Sequence, residues 1–403
     1  MARGKGDGAL YKQADGLWAC AVELPPDQTG KRRRKVVRGK DKRTVQNKLR
    51  DLKLELAEAG DMPTASMTAE KWFTHWIDDI EPRTNTRPST IRGYRSVING
   101  FIIPAIGKKK LAQLAPGDVR GVHDLIMSTP KPRGLRGKPP EEWPEGTEML
   151  SSTYALNAHN AMSAALKAAY REGLVRSNVC DKVDRPRARV TDQAALELEE
   201  AIQVLAYCAT IKDGPLWASY LLTGARRGEL LGLECERVDG DLDLSWQLQR
   251  ITNLSDAAPD YEKRHLVKSL YLTRPKSNAG WRVLPLVDPL KSILKLAVGG
   301  RASGLVFTNG GAPWDPDDAT DRWKEVLAGA GIKRTDVVLH GSRHTAVDLL
   351  YAAGVDEDLV QDIVGHSTVA MTRKYRTKSK LQRSRLEAAL KQMSELVAGS
   401  SAD

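Results

Sequence analysis

The hydrophobic pattern of this chain changes period along its length, and each change marks a separately packed piece. Residues 9–13 and 17–24 read as two short strands around Asp15-Gly16, a hairpin turn signal. Residues 31–38 follow as a third strand. Asp41 is placed to cap a helix to about Ala59, with Val45, Leu49, Leu52 and Leu56 on one face and Gly60 at the stop. After a linker at 61–67 the period becomes helical. Trp72, Phe73, Trp76 and Ile77 share a face over 68–80, and Ser89 is placed to cap a helix to about Ile103. Helices over 117–127 and 153–173 follow, separated by a long Pro- and Gly-rich loop at 130–146. A second linker, 185–189, leads to helices over 196–210 and 216–222. Strand patterns at 242–253, 266–273 and 281–286 suggest one small antiparallel sheet, and the chain is helical again from Asp315.

These patterns predict a multidomain α+β protein. Residues 1–60 form a small three-stranded sheet plus helix, 68–184 an all-α domain, and 185–403 a mainly α domain with a small antiparallel sheet and a C-terminal helix. The 403 residues suffice for this, and 41% are hydrophobic.

Net charge is +11, and residues 1–60 alone carry 15 Lys/Arg against 8 Asp/Glu. Such a concentration suits a polyanionic partner. Alternate residues of a strand share a face, so Arg32, Arg34 and Arg38 project together, with Tyr11 and Trp18 nearby. A ribbon of two or three strands fits a DNA major groove. The bland alternative is an edge strand kept soluble by its charges. Arg92 and Arg95 of the helical domain are further candidates for DNA contact, although a solvated helix face explains them equally well. Cys20, Cys180, Cys208 and Cys235 stand far apart with no zinc spacing and read as buried small hydrophobes of a reducing compartment. With no apolar N-terminal region and no run long enough to span a bilayer, the expected location is the cytoplasm.

The last 180 residues or so contain an ordered set of chemically useful motifs. These are Thr-Gly-Ala-Arg-Arg-Gly-Glu-Leu at 223–230, Lys276 in the turn 274–280, His-Gly-Ser-Arg at 340–343, Gly365-His366, and Tyr375. A tyrosine is a poor nucleophile at its free pKa of about 10. Attack on phosphorus therefore needs its proton removed or the phosphate's charge neutralised. Arg226 and Arg343 supply the second through planar forks that match phosphate oxygens. Lys276 is placed to protonate a leaving oxygen, with Arg274 as a rival. Arg227 diverges from Arg226 by about 100° on a helix and reads as a neighbour without chemistry. His340 and His344 stand at i and i+4, but no third ligand or His-Glu-x-x-His pattern accompanies them, so no metal is expected. No phosphate-binding Gly-rich loop implies a nucleotide cofactor either.

The motif set resembles that of the tyrosine recombinases, the phage integrase family. Its boxes Thr-Gly-x-Arg-x-Gly-Glu-Leu, His-x-x-Arg and Gly-His followed by tyrosine are met at 223–230, 340–343 and 365–375. The helical segment resembles the family's core-type DNA-binding domain, and residues 1–60 its arm-binding domain. The resemblance implies that Tyr375 is the nucleophile and Lys276 the general acid. It implies that His340 aids proton transfer, that His366 hydrogen-bonds the scissile phosphate, and that Glu229 orients Arg226. It further implies a site-specific recombinase that integrates or excises phage or mobile-element DNA through a 3′-phosphotyrosine. It would act as a homotetramer on double-stranded DNA with core-type and arm-type sites, aided by an accessory DNA-bending protein and a directionality factor. Alternatives are a Xer-type recombinase, a type IB topoisomerase and a catalytically silent regulator of the same fold.

Overall fold

The structure is a computed structural model that describes residues 10–24, 33–59, 67–189, 194–275, 281–365 and 380–399. It divides into two compact units, Met1–Val190 with Ser255–Pro259, and Thr191–Leu254 with Asp260–Asp403.

The first unit opens with an antiparallel sheet in the order β1-β2-β3, from β1 (Leu10–Lys12), β2 (Trp18–Leu24) and β3 (Arg33–Gly39). Gly16 takes the left-handed conformation in the first turn, and the Asp15 carboxylate accepts the Leu17 N–H. Helix α1 (Lys42–Ala59) starts at Asp41, whose carboxylate accepts the Thr44 N–H at 2.7 Å and is held below its ordinary pKa by that bond. Cys20, Val22, Val37, Val45 and Leu52 pack between sheet and helix.

The helical part of this unit begins with α2 (Ala69–His75), where the Thr68 hydroxyl accepts the Lys71 N–H. A π turn over Trp76–Ile80 follows. Helix α3 (Pro88–Val97) starts two residues earlier than expected, because Pro88 occupies N1 with Arg87 as N-cap, and Ser89 lies inside the helix. Proline at N1 needs no N–H and brings a helical φ, which makes a hydroxyl cap unnecessary. A π turn over Ile98–Ile102 leads into α4 (Ile103–Ile106), then α5 (Pro116–Met127) and α6 (Ser152–Arg171). Ala155, Ala158, Ala161, Ala165 and Ala169 are buried on α6 and allow close helix approach, and the Trp72 indole donates to the Ala165 carbonyl. The 130–146 segment is not featureless. Pro130 pairs with Met149 at its base, and it holds two 3-10 turns, Arg133–Leu135 and Pro140–Glu142.

The second unit is built on α7 (Leu198–Cys208), α8 (Gly214–Thr223) and α9 (Arg227–Leu231). Then come β4 (Val238–Asp239), β5 (Asp241–Asp243), β6 (Gln247–Arg250), β7 (Lys263–Val267), β8 (Leu270–Thr273) and β9 (Val283–Pro285). These strands make two sheets rather than the single one expected, in the orders β4-β5-β9 and β6-β8-β7. The break lies between β5 and β6, where the Asp243 carboxylate captures the Ser245 N–H at 2.8 Å and turns the strand toward a new partner. Helix α10 (Leu290–Val298), the hairpin β10 (Thr308–Asn309) and β11 (Ala312–Pro313), and helices α11 (Pro316–Gly329), α12 (Gly341–Ala352), α13 (Glu357–Val364) and α14 (Lys380–Gly399) complete it. Buried Trp217 meets Trp314 and Trp323 at the centre of the core. Helix α14 inserts Ala389, Leu390 and Met393 into that same core, and Arg385 lies 3.5 Å from Asp358. All four cysteines are buried, and burial pushes the Cys180 and Cys208 thiols up to about 12.

Gly224 closes α8 with φ +58°, and a Cβ there would stand 2.9 Å from a Val364 methyl and 3.2 Å from the Ala346 methyl. Here the end of α8 meets α12 and the end of α13. Gly224→Ala is therefore expected to cost about 1–3 kcal/mol through the strained φ and the displaced neighbours, read as a fall in the urea midpoint. An unchanged midpoint would contradict this packing.

Candidate active site

The 223–230 motif folds as helix end, corner and helix start. The buried Thr223 hydroxyl donates to the Ser219 carbonyl and accepts the Ala225 N–H at 3.2 Å, fixing the exit from α8. Arg226 is the N-cap of α9 in extended conformation, and Glu229 is its N3 residue. The Glu229 carboxylate grips Arg226 twice. One oxygen accepts the Arg226 backbone N–H at 2.8 Å, and the other accepts a guanidinium N–H at 2.7 Å. Gly228 lets α9 lie on β6, since a Cβ there would fall 2.5 Å from the Leu248 carbonyl oxygen. His340 is the N-cap of α12 and Arg343 stands in its first turn.

Three guanidiniums gather here, each donating to a carbonyl at or next to a helix C-terminus. Arg226 donates to Gly365 O at 2.8 Å and Arg282 to Ile363 O at 2.7 Å, both at the end of α13. Arg343 donates to Gly224 O at 2.8 Å, at the end of α8. The last carbonyls of a helix lack intrahelical partners and carry its negative dipole end, so they suit cations. Arg343 and Arg282 are each only 4% exposed, and Glu229 is fully buried.

Glu229 is the carboxylate paired with this group. Its Oε2 lies 3.0 Å from Arg282 Nη2, outside hydrogen-bond alignment. Burial alone would raise its pKa, but Arg282 and then Arg226 hold it below the ordinary carboxylate value. Among the described residues Arg343 has no carboxylate partner of its own. Burial, followed by the charges of Arg282 and Arg226, pushes it down to about 9. Among the described residues the site holds three guanidiniums and one carboxylate. His340 is exposed and meets His344 edge to face, ring centres 5.8 Å apart. The protein around its ring, then the charges of Arg343, His344 and Arg226, lower its pKa, which favours the neutral imidazole.

Of the residues singled out from sequence, Arg226, His340 and Arg343 are thus brought together. Lys276, His366 and Tyr375 lie outside the described residues. The nearby Tyr220 is no rival nucleophile, because its hydroxyl is buried and donates to Arg227 O at 2.8 Å. Arg227 itself turns away to Pro316 O and the Thr320 hydroxyl. Arg274 is stacked between Trp246 and Trp281, 4.3 and 4.8 Å from their ring centres, with Glu262 at 3.1 Å. Arg282 was missed. Its signal was its parity with Leu284 in the 281–286 strand pattern, which puts a charge on the inward face. Among the described residues no group of His, Cys, Asp and Glu is arranged to hold a metal ion, and no helix is long and apolar enough to cross a membrane.

In the N-terminal sheet the register puts Tyr11, Ala19 and Arg38 in one row, with Ala21 opposite Val36 and Glu23 opposite Arg34, all on the face turned away from the packed core. Trp18 lies on the other face, against the core and 4.6 Å from the Lys42 ammonium. Arg32 lies outside the described residues. Arg92 is exposed on α3. Arg95 is paired with Asp78 and, at 2.7 Å, with Asp256 of the same unit.

Residues 194–382 match the family model for the phage integrase family, and residues 68–124 match that for the phage integrase N-terminal SAM-like domain. An integrase from Saccharopolyspora erythraea is 26% identical over 431 residues, spanning 92% of each chain. Among solved structures, the Tn1549 transposon integrase in complex with a circular intermediate DNA superposes with TM-score 0.58 at 19% identity, covering 80% of this chain and 99% of that one. A lambda integrase tetramer bound to a Holliday junction gives TM-score 0.53 at 15% identity, covering 92% and 98%. The chain belongs to the phage integrase family of tyrosine recombinases. It is a site-specific DNA recombinase.

Glu229→Ala removes the carboxylate from a pocket of three guanidiniums. The expected loss is about 3–5 kcal/mol of unfolding free energy, the usual result of breaking a buried pair. Urea denaturation reads it, and a change within a few tenths of a kcal/mol, on the scale of surface substitutions, would contradict the electrostatic account.

Proposed function

We propose that this recombinase is an integrase of a phage or mobile element that cuts and rejoins double-stranded DNA through a covalent bond to Tyr375. The observation that carries the reading is the pair Arg226 and Arg343, two cations of one pocket in which, among the described residues, a single carboxylate is set against three guanidiniums. A phosphodiester supplies the missing negative charge.

In this reading the phenol oxygen of Tyr375 attacks phosphorus, and its proton passes to neutral His340. The two arginines hold the non-bridging oxygens, where charge builds as phosphorus becomes five-coordinate. His366 hydrogen-bonds the same phosphate. The bond from phosphorus to the deoxyribose 5′-oxygen breaks, and Lys276 protonates that oxygen. Arg274, stacked between two indoles, is the weaker candidate for this proton. A 3′-phosphotyrosine and a free 5′-hydroxyl result. A 5′-hydroxyl from a second duplex reverses the step without fuel, so direction comes from assembly: a homotetramer on core-type sites, an accessory DNA-bending protein and a directionality factor.

The open face of the N-terminal sheet suits arm-type DNA. Tyr11, Arg34 and Arg38 stand on it, with the half-buried small residue Ala21 between the last two in register. Arg32 belongs to the run of basic residues 31–35 in the sequence, and Trp18 braces the sheet from behind. Of the two α3 arginines, exposed Arg92 suits a core-site backbone contact better than Arg95, which already has carboxylate partners. Residues 1–60, the linker 61–67, 68–184 and 185–403 then serve as arm-binding domain, tether, core-binding domain and catalytic domain. The arm-like module favours an integrase over a Xer-type recombinase, and the arginine pocket favours an enzyme over a silent regulator. The place of action is the cytoplasm of a bacterial host.

Incubation with nicked core-site DNA is expected to leave a protein–DNA adduct on a denaturing gel. Tyr375→Phe abolishes it, while Arg343→Ala lowers its rate by about 10²–10³ and leaves DNA binding nearly intact. An adduct that survives Tyr375→Phe would overturn the nucleophile. Wild-type protein that binds the site without forming an adduct would favour the regulator.

His340 also predicts a pH profile. Its folded pKa is depressed from 6.5, so at that pH the neutral acceptor still predominates, and the charged form takes over only on further acidification. Single-turnover cleavage should reach half its plateau rate only below pH 6.5, and the His340→Gln variant should lose the acid limb. A wild-type rate already halved at pH 7.5 by a group that this variant removes would contradict the assignment.

A further inference from the structure

Arg282 lies outside the family motifs read from the sequence, yet it is among the most enclosed charges in the second unit, 4% exposed. Its Nε donates to Ile363 O at 2.7 Å. Its Nη2 lies 3.0 Å from Glu229 Oε2, the same oxygen that accepts the Arg226 backbone N–H. Neither terminal nitrogen has a hydrogen-bond partner among the described residues. A buried guanidinium left this way is costly, and such groups are kept where they act on a site. Burying an arginine on a carboxylate contributes little stability compared with an apolar pair of the same volume.

Its position gives it two effects on the reaction. Through Glu229 it fixes the carboxylate that in turn holds both the backbone and the fork of Arg226. It also sets the charge of the pocket. Among the described residues, Arg226, Arg282 and Arg343 against Glu229 leave two positive charges. A phosphodiester brings one negative charge, whereas the five-coordinate species formed by a deprotonated phenol carries two. A pocket with a net charge of two favours the second over the first, which is the condition for accelerating the chemical step rather than binding alone. Without Arg282 the net falls to one and matches the ground state.

We propose that Arg282 is a positioning residue of the cleavage step, which offsets Glu229 so that the full charge of Arg226 and Arg343 falls on the phosphorus in flight. This rests on the reading of the pocket as the phosphate site.

The test compares Arg282→Met, Arg282→Lys and the double variant Glu229→Gln/Arg282→Met. Single-turnover adduct formation on nicked core-site DNA is measured beside DNA affinity and a thermal melt. Arg282→Met is expected to slow cleavage by about 10²-fold, as small misplacements at a reacting centre do, with DNA affinity unchanged. Arg282→Lys keeps the charge and should recover most of the rate. The double variant restores the net charge and should cleave about tenfold faster than Arg282→Met, a coupling of the size adjacent charges show. Equal rates for wild type and Arg282→Met would overturn the proposal. So would a rate loss that merely follows lost affinity, or a folded double variant no faster than Arg282→Met. Should Arg282→Met fail to fold, the double variant, which removes both members of the Arg282–Glu229 pair and leaves no carboxylate without its partner, decides alone: cleavage within about 10²-fold of wild type supports the role, and a folded, DNA-bound but slower protein overturns it. Wild-type protein that forms no adduct would instead defeat the underlying reading of the pocket.

Discussion

A fully buried carboxylate, Glu229, holds the functional end of this molecule together. It caps the helix it belongs to, grips the arginine that begins that helix, and faces a second arginine that arrives from a strand. Remove its charge and three guanidiniums would face one another in a poorly solvated space. At such distances like charges in low dielectric repel by several kcal/mol. One carboxylate only partly offsets them. The remainder is met by oriented carbonyls at the ends of α8 and α13, and what they leave unmatched is a standing demand for an anion.

That demand explains why the motif residues come from three separate stretches. The cations must converge while their chain neighbours diverge, and helix ends allow this. Gly224 and Gly365 both end helices in left-handed conformation and offer their carbonyls to Arg343 and Arg226. The glycines are therefore ligands by backbone, and their spacing from the arginines is set by the helices they terminate. The large aromatic core around Trp217 supplies the rigidity this needs, since a pocket that relaxed would separate its charges.

Much of this was legible in sequence, for local reasons. Turn glycines, helix caps and hydrophobic periods are short-range signals, and they located β1 to β3, α1, α7, α8 and the helical stretch in which Arg343 lies. What escaped was long-range or off-pattern. Arg282 is one inward charge in a short strand, with no motif around it. The split into two sheets depends on an Asp243 side-chain bond that periodicity does not register. The partner Asp256 of Arg95 is 161 residues away, so its commitment has no local trace. Trp18 looked like a neighbour of Tyr11 on one surface, yet the register puts them on opposite faces.

The central claim is spatial: one phosphate sits between Arg226 and Arg343 and within reach of Tyr375. The most direct measurement is a crystal structure of the protein trapped covalently on its core-site DNA. The account predicts phosphorus bonded to the Tyr375 oxygen, with its non-bridging oxygens about 2.7–3.1 Å from both guanidiniums. A covalent link through another residue, or a phosphate bound away from these two arginines, would contradict it.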